Sequence, residues 1–301
     1  MAILIDPPRW PAHGTRFSHL VSDDSLEELH AFAAAADVPP RAFDLDHYDV
    51  PLERYAELVV LGAQEVSGAE LVRRLIGSGL RVPARRRSGK LGTALASRWA
   101  GVMPDHPGLG RELIRRWGEE HRHYHDRVHL LAVLDSLDLL REAGENPGPL
   151  PRAVTLAAWF HDAVYNGVAG RDEQDSADLA ARLLPSAGIP AAEVDEVVRL
   201  VLLTAGHSPE LQDAAGALLC DADLSVLGQE PDGYRRYLHN VRKEYAHIAD
   251  ADFAAGRAAV VRRLLALDPL YRTAAGRRLW LERARANLAA ELVAAPAGDL
   301  R

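Results

Sequence analysis

The chain has 301 residues, of which 48% are hydrophobic and 26% are charged, ordinary fractions for a globular protein. Its formal net charge of −8 argues against a broad electrostatic grip on nucleic acid, and no apolar run approaches the roughly 20 residues that span a bilayer. Cys220 is the only cysteine, which excludes an intramolecular disulfide and a metal cluster of several thiolates.

The length of the chain favours two domains, because a single hydrophobic core rarely grows past roughly 250–300 residues. The first residues, MAILIDPPRW, lack the basic start and apolar stretch of a secretory signal. We therefore expect a cytoplasmic protein of the α+β class, with a small N-terminal α/β domain ahead of an all-α domain. We place these domains at residues 1–84 and 109–293, with a linker over 85–108 and a tail over 294–301.

The N-terminal residues carry the signals of a small α/β unit. Residues 2–5 form a short apolar run followed by a breaker, which indicates a buried strand. Residues 22–25 offer an N-cap for a helix that begins at Leu26. The segment 44–49 indicates an edge strand or a loop, and a capping-box pattern predicts a second helix over 68–76.

The pattern of helices and strands ends in the segment that follows. A basic run at 85–87 and Lys90 precedes several glycines and a turn signal over 103–108. This segment is the predicted domain boundary. The basic run either contacts an acidic partner or forms a solvated linker, and the linker is the simpler interpretation.

Residues 109–292 show helical periodicity throughout. Apolar residues recur at i, i+3 and i+4, for example at Leu130, Val133, Leu134 and Leu137. Segments rich in glycine and proline separate these stretches. The pattern predicts an all-α domain.

Two pairs of residues stand out in this helical region: two histidines one helical turn apart, and a histidine next to an aspartate. His125 and His129 are four residues apart, a spacing that places two rings on one face of a helix. His161 and Asp162 directly follow the apolar run 154–160, so a buried helix delivers an imidazole and a carboxylate side by side.

Asp221 and Asp223 follow a further apolar stretch, residues 217–220. A carboxylate at the end of a buried helix is costly unless a metal or a partner charge compensates it. Histidine and carboxylate without thiolate form a ligand set for zinc, manganese, iron or magnesium rather than a structural zinc cage. A metal with open positions can polarise a phosphoryl oxygen and lower the pKa of bound water. A lone histidine would more often be a core or surface residue, but this ordered set favours a metal site.

Taken in order, His129, the pair His161-Asp162 and Asp223 match the H…HD…D pattern of the HD superfamily of metal-dependent phosphohydrolases. The chain resembles a bacterial branch of that superfamily, over roughly residues 109–293. The matching segments are 122–125, 158–165, Glu173 with 176–177, 203–207, 221–228, 242–245 and 284–288. The resemblance implies a divalent metal ion (Mn, Mg, Zn, Ni, Co or Fe) held by His129, His161, Asp162 and Asp223.

A more distant similarity, to the cyclic-nucleotide phosphodiesterases, implies separate roles for the two upstream histidines. Those enzymes share a Tyr-His-Asn-x-x-His segment and a later Ala-Asp-Leu-Ser. Their first histidine donates a proton to the leaving oxygen and their second binds metal. The similarity implies that His125 is the general acid, that His129 is a ligand, and that Asp223 rather than Asp221 closes the site. Asp126 stands where those families usually have asparagine.

Four further residues are candidates for supporting roles. Glu173 either orients a metal-bound water or holds a second metal, or it is a first-turn helix acid. His207 either binds phosphate or a second metal, or it is a loop histidine. Arg242 and Lys243 either hold a phosphate or are exposed charges that pair with Glu244.

The N-terminal residues resemble a small bacterial domain of unknown function, DUF4031. The resemblance covers about residues 1–80 and implies no activity. Polar residues that follow its apolar runs either form a second polar or metal site or cap turns. These residues are Asp6, His13, His19, Asp23, His47 and Asp49.

The sequence thus predicts an enzyme, a metal-dependent phosphohydrolase whose catalytic residues include His125 and Asp162. Its expected substrate is a small phosphate ester such as a nucleotide. The alternatives are a nucleotide-sensing module without turnover and an HD-fold di-iron oxygenase, which would need Glu173 and His207 as additional ligands. We expect no membrane partner, and the charge argues against nucleic acid.

Overall fold

A computed structural model describes residues 2–12, 14–82, 88–168 and 170–294. The chain divides into two compact units, Met1–Arg87 and Ser88–Arg301. The first contains a sheet and the second is helical, as the predicted α+β class requires. No helix in the described ranges is long and apolar enough to cross a membrane.

Within its described residues, the first unit contains a five-stranded sheet and three α-helices. The strands are β1 (Ile3–Ile5), β2 (Trp10–Ala12), β3 (Thr15–Ser22), β4 (Tyr48–Pro51) and β5 (Gln64–Glu65). The helices are α1 (Leu26–Ala35), α2 (Leu52–Val60) and α3 (Gly68–Gly77). Strand β3 pairs antiparallel with β1, β2 and β4, and β5 pairs parallel with β1.

The apolar strand over 2–5 and two of the three helices, α1 and α3, lie where the sequence predicts them, whereas α2 was not predicted. Ser25 accepts a hydrogen bond from the Glu28 N–H at the start of α1, and Ser67 does the same for Glu70 at the start of α3. The segment 44–49 divides into a loop and the start of β4. Both faces of the sheet are covered, because Ile5 and Leu20 belong to one apolar cluster and Leu4 and Val21 to another.

The second unit consists of ten α-helices within the described residues. These are α4 (Ser88–Val102), α5 (Pro107–Arg116), α6 (Arg127–Glu142), α7 (Pro151–Phe160), α8 (Arg171–Ser186), α9 (Ala191–Leu203), α10 (Ala214–Asp223), α11 (Pro231–Glu244), α12 (Asp250–Ala266) and α13 (Ala274–Ala294). Helix α7 is apolar on nearly every side and buried, so it forms the centre of the unit.

The segment expected to be a linker, 85–108, differs from that expectation. Residues 88–102 form α4, whose Leu91, Leu95 and Trp99 are buried at four-residue spacing in the core of the helical unit. The Trp99 ring meets the Trp159 ring of α7 edge to face, 5.1 Å between centroids. Gly92 and the small residues between these three positions hide the stripe in the sequence. Of the predicted turn over 103–108, residues 103–106 lie between α4 and α5, and residues 107–108 begin α5. Residues 85–87 of the basic run are outside the described residues.

Candidate metal centre

Helix ends bring four predicted ligands to one place. His129 lies in the first turn of α6, His161 and Asp162 directly follow α7, and Asp223 is the last residue of α10. Asp126 fixes the start of α6, because its carboxylate accepts hydrogen bonds from the backbone N–H groups of Val128 and His129 (2.7 and 3.1 Å). The aspartate that departs from the family pattern is therefore the N-cap of the helix that carries His129.

The four side chains lie within contact distance of one another. The Nε2 atoms of His129 and His161 are 3.3 Å apart, and Oδ1 of Asp223 lies 3.0 and 3.5 Å from them. Oδ2 of Asp162 lies 3.2 Å from Nε2 of His161 and 4.0 Å from Nε2 of His129. Two imidazole nitrogens that face each other this closely require a proton or a cation between their lone pairs.

Both histidine rings are buried and held in place. Nδ1 of His161 lies 2.9 Å from the carbonyl oxygen of Ala158, a pure acceptor, so this nitrogen carries the proton in the neutral ring and Nε2 remains the ligating atom. The Trp117 ring packs against both imidazoles, and its indole N–H donates to the carbonyl of Trp159. The core thus fixes the orientation of the two rings before any ligand binds.

The electrostatics of the cluster favour a cation. Burial alone would raise the pKa of both carboxyls, but the charge of His161 and its hydrogen bonds outweigh burial. The pKa of Asp162 therefore falls to about 2, and that of Asp223 lies well below its ordinary value. The two carboxylates in turn hold the pKa of His161 well above its usual range, although burial opposes this shift.

The residues present fit a divalent metal ion. Ligand atoms about 2.1 Å from one metal stand about 3.0–3.4 Å apart, and most of the distances within this cluster are close to that range. Two imidazoles and two carboxylates without thiolate suit zinc, manganese, iron, cobalt or nickel. His129, His161, Asp162 and Asp223 would hold the ion.

Asp221 has a different role from Asp223. Its buried carboxylate accepts hydrogen bonds from the backbone N–H groups of Arg272 and Thr273 and from the Thr273 hydroxyl, at 2.7–2.8 Å. These contacts tie α10 to the segment that leads into α13. Asp221 therefore stabilises the fold, and Asp223 is the aspartate that the structure brings to the two histidines.

His125 lies close to the cluster but not on a helix with His129. Helix α6 begins at Arg127, so the prediction that His125 and His129 share one face of a helix is wrong. The centroids of the two rings are nevertheless 5.8 Å apart. Nδ1 of His125 lies 2.5 Å from Oε1 of Glu244, and the ring stacks on that of Tyr165. Burial would lower the pKa of His125, but the hydrogen bond to Glu244 and nearby carboxylates raise it.

Glu244, considered from the sequence only as an ion-pair partner of Arg242 and Lys243, instead contacts His125 and the segment around it. Its Oε2 accepts hydrogen bonds from the backbone N–H groups of His123, Tyr124 and His125, at 2.7, 2.7 and 3.0 Å. These bonds and His125 keep the pKa of Glu244 well below its ordinary value despite its burial. The only signal in the sequence was its place in the 242–245 segment of the family resemblance.

Arg122 connects the general-acid candidate to the HD pair. Its guanidinium donates hydrogen bonds to the carbonyl oxygens of His125 (3.0 Å) and Asp162 (2.7 Å) and lies over the rings of Trp117 and Tyr165. Its side chain is fully buried, so its removal would leave both carbonyls without this partner. Nothing in the periodicity around Arg122 distinguishes it from an exposed charge.

A cavity of about 460 Å³ opens onto the cluster. Asp162, Asp223, His125 and His207 contribute to its polar end. The remaining wall is mostly apolar and comes from the short 3-10 helix Leu224–Gly228 after α10 and from α11 and α12. These apolar residues include Val226, Leu227, Val241, Phe253, Val260 and Leu264.

Glu173 and His207 both line this cavity, but they differ in their contacts. Nε2 of His207 lies 2.7 Å from Oδ2 of Asp223, and its backbone adopts a left-handed conformation with φ of 50°. Glu173 accepts a hydrogen bond from the Gly170 N–H at the start of α8 (2.6 Å). The structure therefore brings His207 into the cluster and leaves Glu173 as a helix-capping acid at the cavity wall.

The candidate phosphate-binding pair, Arg242 and Lys243, does not line the cavity. Arg242 donates to the carbonyl oxygens of Tyr245 and Ile248 at the end of α11, and Lys243 is exposed. Helix C-termini attract such cations because their last carbonyls lack partners. Among the described residues, the arginines that line the cavity are Arg257 and Arg263 of α12.

The polar residues of the first unit also separate into groups. His19, His47 and Asp49 lie together, with Asp6 against His19. Asp23 lies apart from them: it pairs with Arg74 and accepts a hydrogen bond from the Ala2 N–H. His13 is outside the described residues.

The fold and the site define an α+β protein of two units, whose helical unit carries a buried histidine–aspartate cluster at the end of a cavity. Residues 3–78 match the family described as "Protein of unknown function (DUF4031)", so the first unit contains a DUF4031 domain. No curated protein and no solved structure matches the chain.

Proposed function

We propose that the helical unit is a metal-dependent phosphohydrolase of the HD type, which cleaves a small phosphate ester. The observation that carries this proposal is the cluster of His129, His161, Asp162 and Asp223 at the polar end of a cavity that His125 also lines. The ordered H…HD…D pattern of the sequence supports the same activity by resemblance.

His129, His161, Asp162 and Asp223 would hold the metal ion. When bound, the ion would polarise a phosphoryl oxygen and lower the pKa of its water, so that hydroxide is available near neutral pH. His207 contacts Oδ2 of Asp223 and thereby orients that carboxylate. The buried rings keep their positions through the Ala158 carbonyl and the Trp117 ring, so little reorganisation is needed before reaction.

His125 would act as the general acid. Because Glu244 only accepts hydrogen bonds, Nδ1 of His125 carries a proton, and Nε2 of the imidazolium would donate its proton to the leaving oxygen. The three backbone N–H groups that bind Glu244 keep its carboxylate in place during this transfer. Glu244 is thus a positioning residue, which acts through His125.

The shape and chemistry of the cavity favour a substrate that carries an apolar or aromatic group beside its phosphate. The volume of about 460 Å³ lies in the range of small-molecule sites. Phe253, Val260 and Leu264 would contact the apolar part, and Arg263 adds a positive charge at the wall. A nucleotide or a related phosphomonoester or phosphodiester satisfies these requirements.

The test is a phosphate-release and product assay of the full chain loaded with manganese, cobalt or nickel. Nucleoside monophosphates, cyclic nucleotides and a synthetic phosphate ester serve as substrates. We expect His161→Ala and Asp162→Ala to abolish cleavage, while His239→Ala, an exposed histidine of α11 outside the cavity, retains it. Cleavage that survives both cluster substitutions contradicts the proposal. Thermal stabilisation by a nucleotide at full metal occupancy, without product, supports a sensing module instead.

One contact favours a second candidate, a di-iron oxygenase. His207 lies against Asp223, so the cluster offers a fifth side chain, a third imidazole, beside the four expected ligands. That chemistry needs two iron ions per chain, and Glu173 would have to leave the Gly170 N–H to join as a ligand. Elemental analysis of a chain with His47→Ala and Asp49→Asn, which removes the histidine–aspartate group of the first unit, separates the candidates. A single metal ion in the helical unit contradicts the di-iron reaction.

A further inference from the structure

A second histidine–aspartate cluster lies in the DUF4031 domain. His19 of β3 and Asp49 of β4 are direct cross-strand partners in the antiparallel register, and His47 precedes β4 by one residue. The rings of His19 and His47 meet edge to face with centroids 4.9 Å apart. One ligand atom from each of His19, His47 and Asp49 lies within 4.8 Å of the others.

Each histidine is supported from behind by a buried carboxylate. Nδ1 of His19 lies 3.0 Å from Oδ2 of Asp6, and Nδ1 of His47 lies 2.7 Å from Oδ1 of Asp46. Asp6 and Asp46 are 4% and 0% exposed, so both carboxylates belong to the core rather than to the solvated surface. Asp6 also accepts hydrogen bonds from the His19 backbone N–H and the Trp10 indole N–H, and Asp46 accepts one from the Val82 N–H and pairs with Arg81.

This arrangement has a specific chemical consequence. A carboxylate on Nδ1 fixes the tautomer and the orientation of an imidazole and makes its Nε2 a stronger ligand. Nε2 of His47 lies 3.3 Å from Oδ1 of Asp49, a separation typical of two ligands that share one metal. Burial of Asp6 and Asp46 behind these histidines costs hydration free energy, which a cation bound by the two rings would help to offset.

The cluster also has access to solvent and to small ligands. A cavity of about 470 Å³ is lined by Asp6, Trp10, His19, His47, Asp49 and Arg81. Three protein ligands beside an open cavity are the pattern of a metal site that keeps one position for water or a substrate oxygen, whereas structural zinc sites are closed by four protein ligands.

We propose that the DUF4031 domain binds its own divalent transition-metal ion, zinc or a related ion, through Nε2 of His19, Nε2 of His47 and the Asp49 carboxylate. Asp6 and Asp46 orient the two rings. This site is independent of the helical unit, so it exists whether or not that unit is a phosphohydrolase.

The test uses the full chain with His161→Ala and Asp223→Ala, so that the cluster of the helical unit no longer binds metal. After removal of metal, the protein is titrated with Co²⁺, whose absorption reports the ligand field, and with Zn²⁺ followed by elemental analysis. We expect about one ion per chain. His47→Ala and Asp49→Asn should abolish this binding, and Asp6→Asn should weaken it by about 10- to 100-fold.

The matched control is His30→Gln, a histidine of the same unit that contacts the Tyr48 hydroxyl and lies outside the cluster. It should retain full metal binding. Asp49 has a half-exposed side chain, so Asp49→Asn keeps the fold, which a thermal melt without metal verifies. A folded protein with an intact His19, His47 and Asp49 that retains no metal overturns the proposal, as does unchanged binding in His47→Ala and Asp49→Asn. If the wild-type chain releases no phosphate, that result contradicts only the function proposed for the helical unit and leaves the metal site of the DUF4031 domain untouched.

Discussion

The Nδ1 atom of His125 lies 2.5 Å from the Oε1 atom of Glu244, which is 119 residues further along the chain. This contact joins the segment ahead of α6 to the last residue of α11. Because Glu244 also binds three successive backbone N–H groups, the pair sets both the position and the protonation of His125 at the cavity.

The first prediction concerns Glu244→Gln. Glutamine keeps the size of the side chain but removes the charge that raises the pKa of His125. We expect kcat to fall by up to about 100-fold, with a smaller change in KM. A general acid must be protonated, so the loss of activity on the alkaline side of the pH–rate profile should move to lower pH.

The pH–rate profile separates this role from a purely structural one. Glu282→Gln, an exposed acid of α13, serves as the control and should leave the profile unchanged. A Glu244→Gln enzyme whose kcat falls while its alkaline limb stays in place would contradict the assignment of His125 as the acid.

The second prediction distinguishes the two aspartates of α10. Asp221→Asn should lower the free energy of unfolding by about 2–4 kcal/mol, because three hydrogen bonds to a buried charge are weakened, while metal binding by the folded protein persists. Asp223→Asn should abolish metal binding by the cluster of the helical unit, so that the chain binds one ion fewer than wild type, with a smaller effect on the stability of the metal-free protein. Denaturant melts and metal titrations of both variants provide the comparison. The reverse pattern would exchange the two roles.

The third prediction concerns the pH dependence of stability at Asp213. This residue is the N-cap of α10, accepts a hydrogen bond from the Gly216 N–H, and pairs with Arg199 of α9. Burial would raise the pKa of Asp213, but the hydrogen bonds from Arg199 and Gly216 outweigh it and place the pKa below its ordinary value of 3.8. The stabilisation from this carboxylate is therefore complete above that value and disappears as the pH falls through the folded-state pKa.

We expect Asp213→Ala to lower the free energy of unfolding by about 1–2 kcal/mol at neutral pH, with the difference from wild type vanishing in strong acid. Asp213→Asn keeps a capping acceptor but not the charge, so it should lose less stability. Urea melts across the acid range measure both variants. A difference that grows as the pH falls would have the wrong sign for this mechanism.

The fourth prediction uses Gly256, which lies within α12 at the wall of the cavity. A Cβ added there would meet no atom within 4 Å. Gly256→Ala should raise the free energy of unfolding by about 0.5–1 kcal/mol, because alanine loses less backbone entropy in a helix, and it should leave KM nearly unchanged. Gly256→Leu extends further into the cavity and should raise KM by about 10-fold or more for the larger substrates. An unchanged KM for Gly256→Leu would place the substrate elsewhere.

Much of the helical unit could be predicted from the sequence, because local rules determine it. Apolar residues at helical spacing predicted the region after residue 109, and the apolar runs 154–160 and 217–220 became α7 and α10. Helix α4 was missed, since its buried Leu91, Leu95 and Trp99 stand among glycines and small polar residues. The short strands β2 and β5 were missed for a related reason: two or three residues hold too little periodicity.

Sequence by itself determined the chemical types and their order: a histidine, the His161-Asp162 pair after a buried helix and a later aspartate. Only the tertiary structure decided which of these groups meet, because contacts across long separations depend on how helices pack. It directed Asp221 to the Thr273 backbone and Asp223 to His129, and it paired His125 with Glu244. It likewise placed His19 opposite Asp49, a relationship set by strand register, which no local pattern specifies.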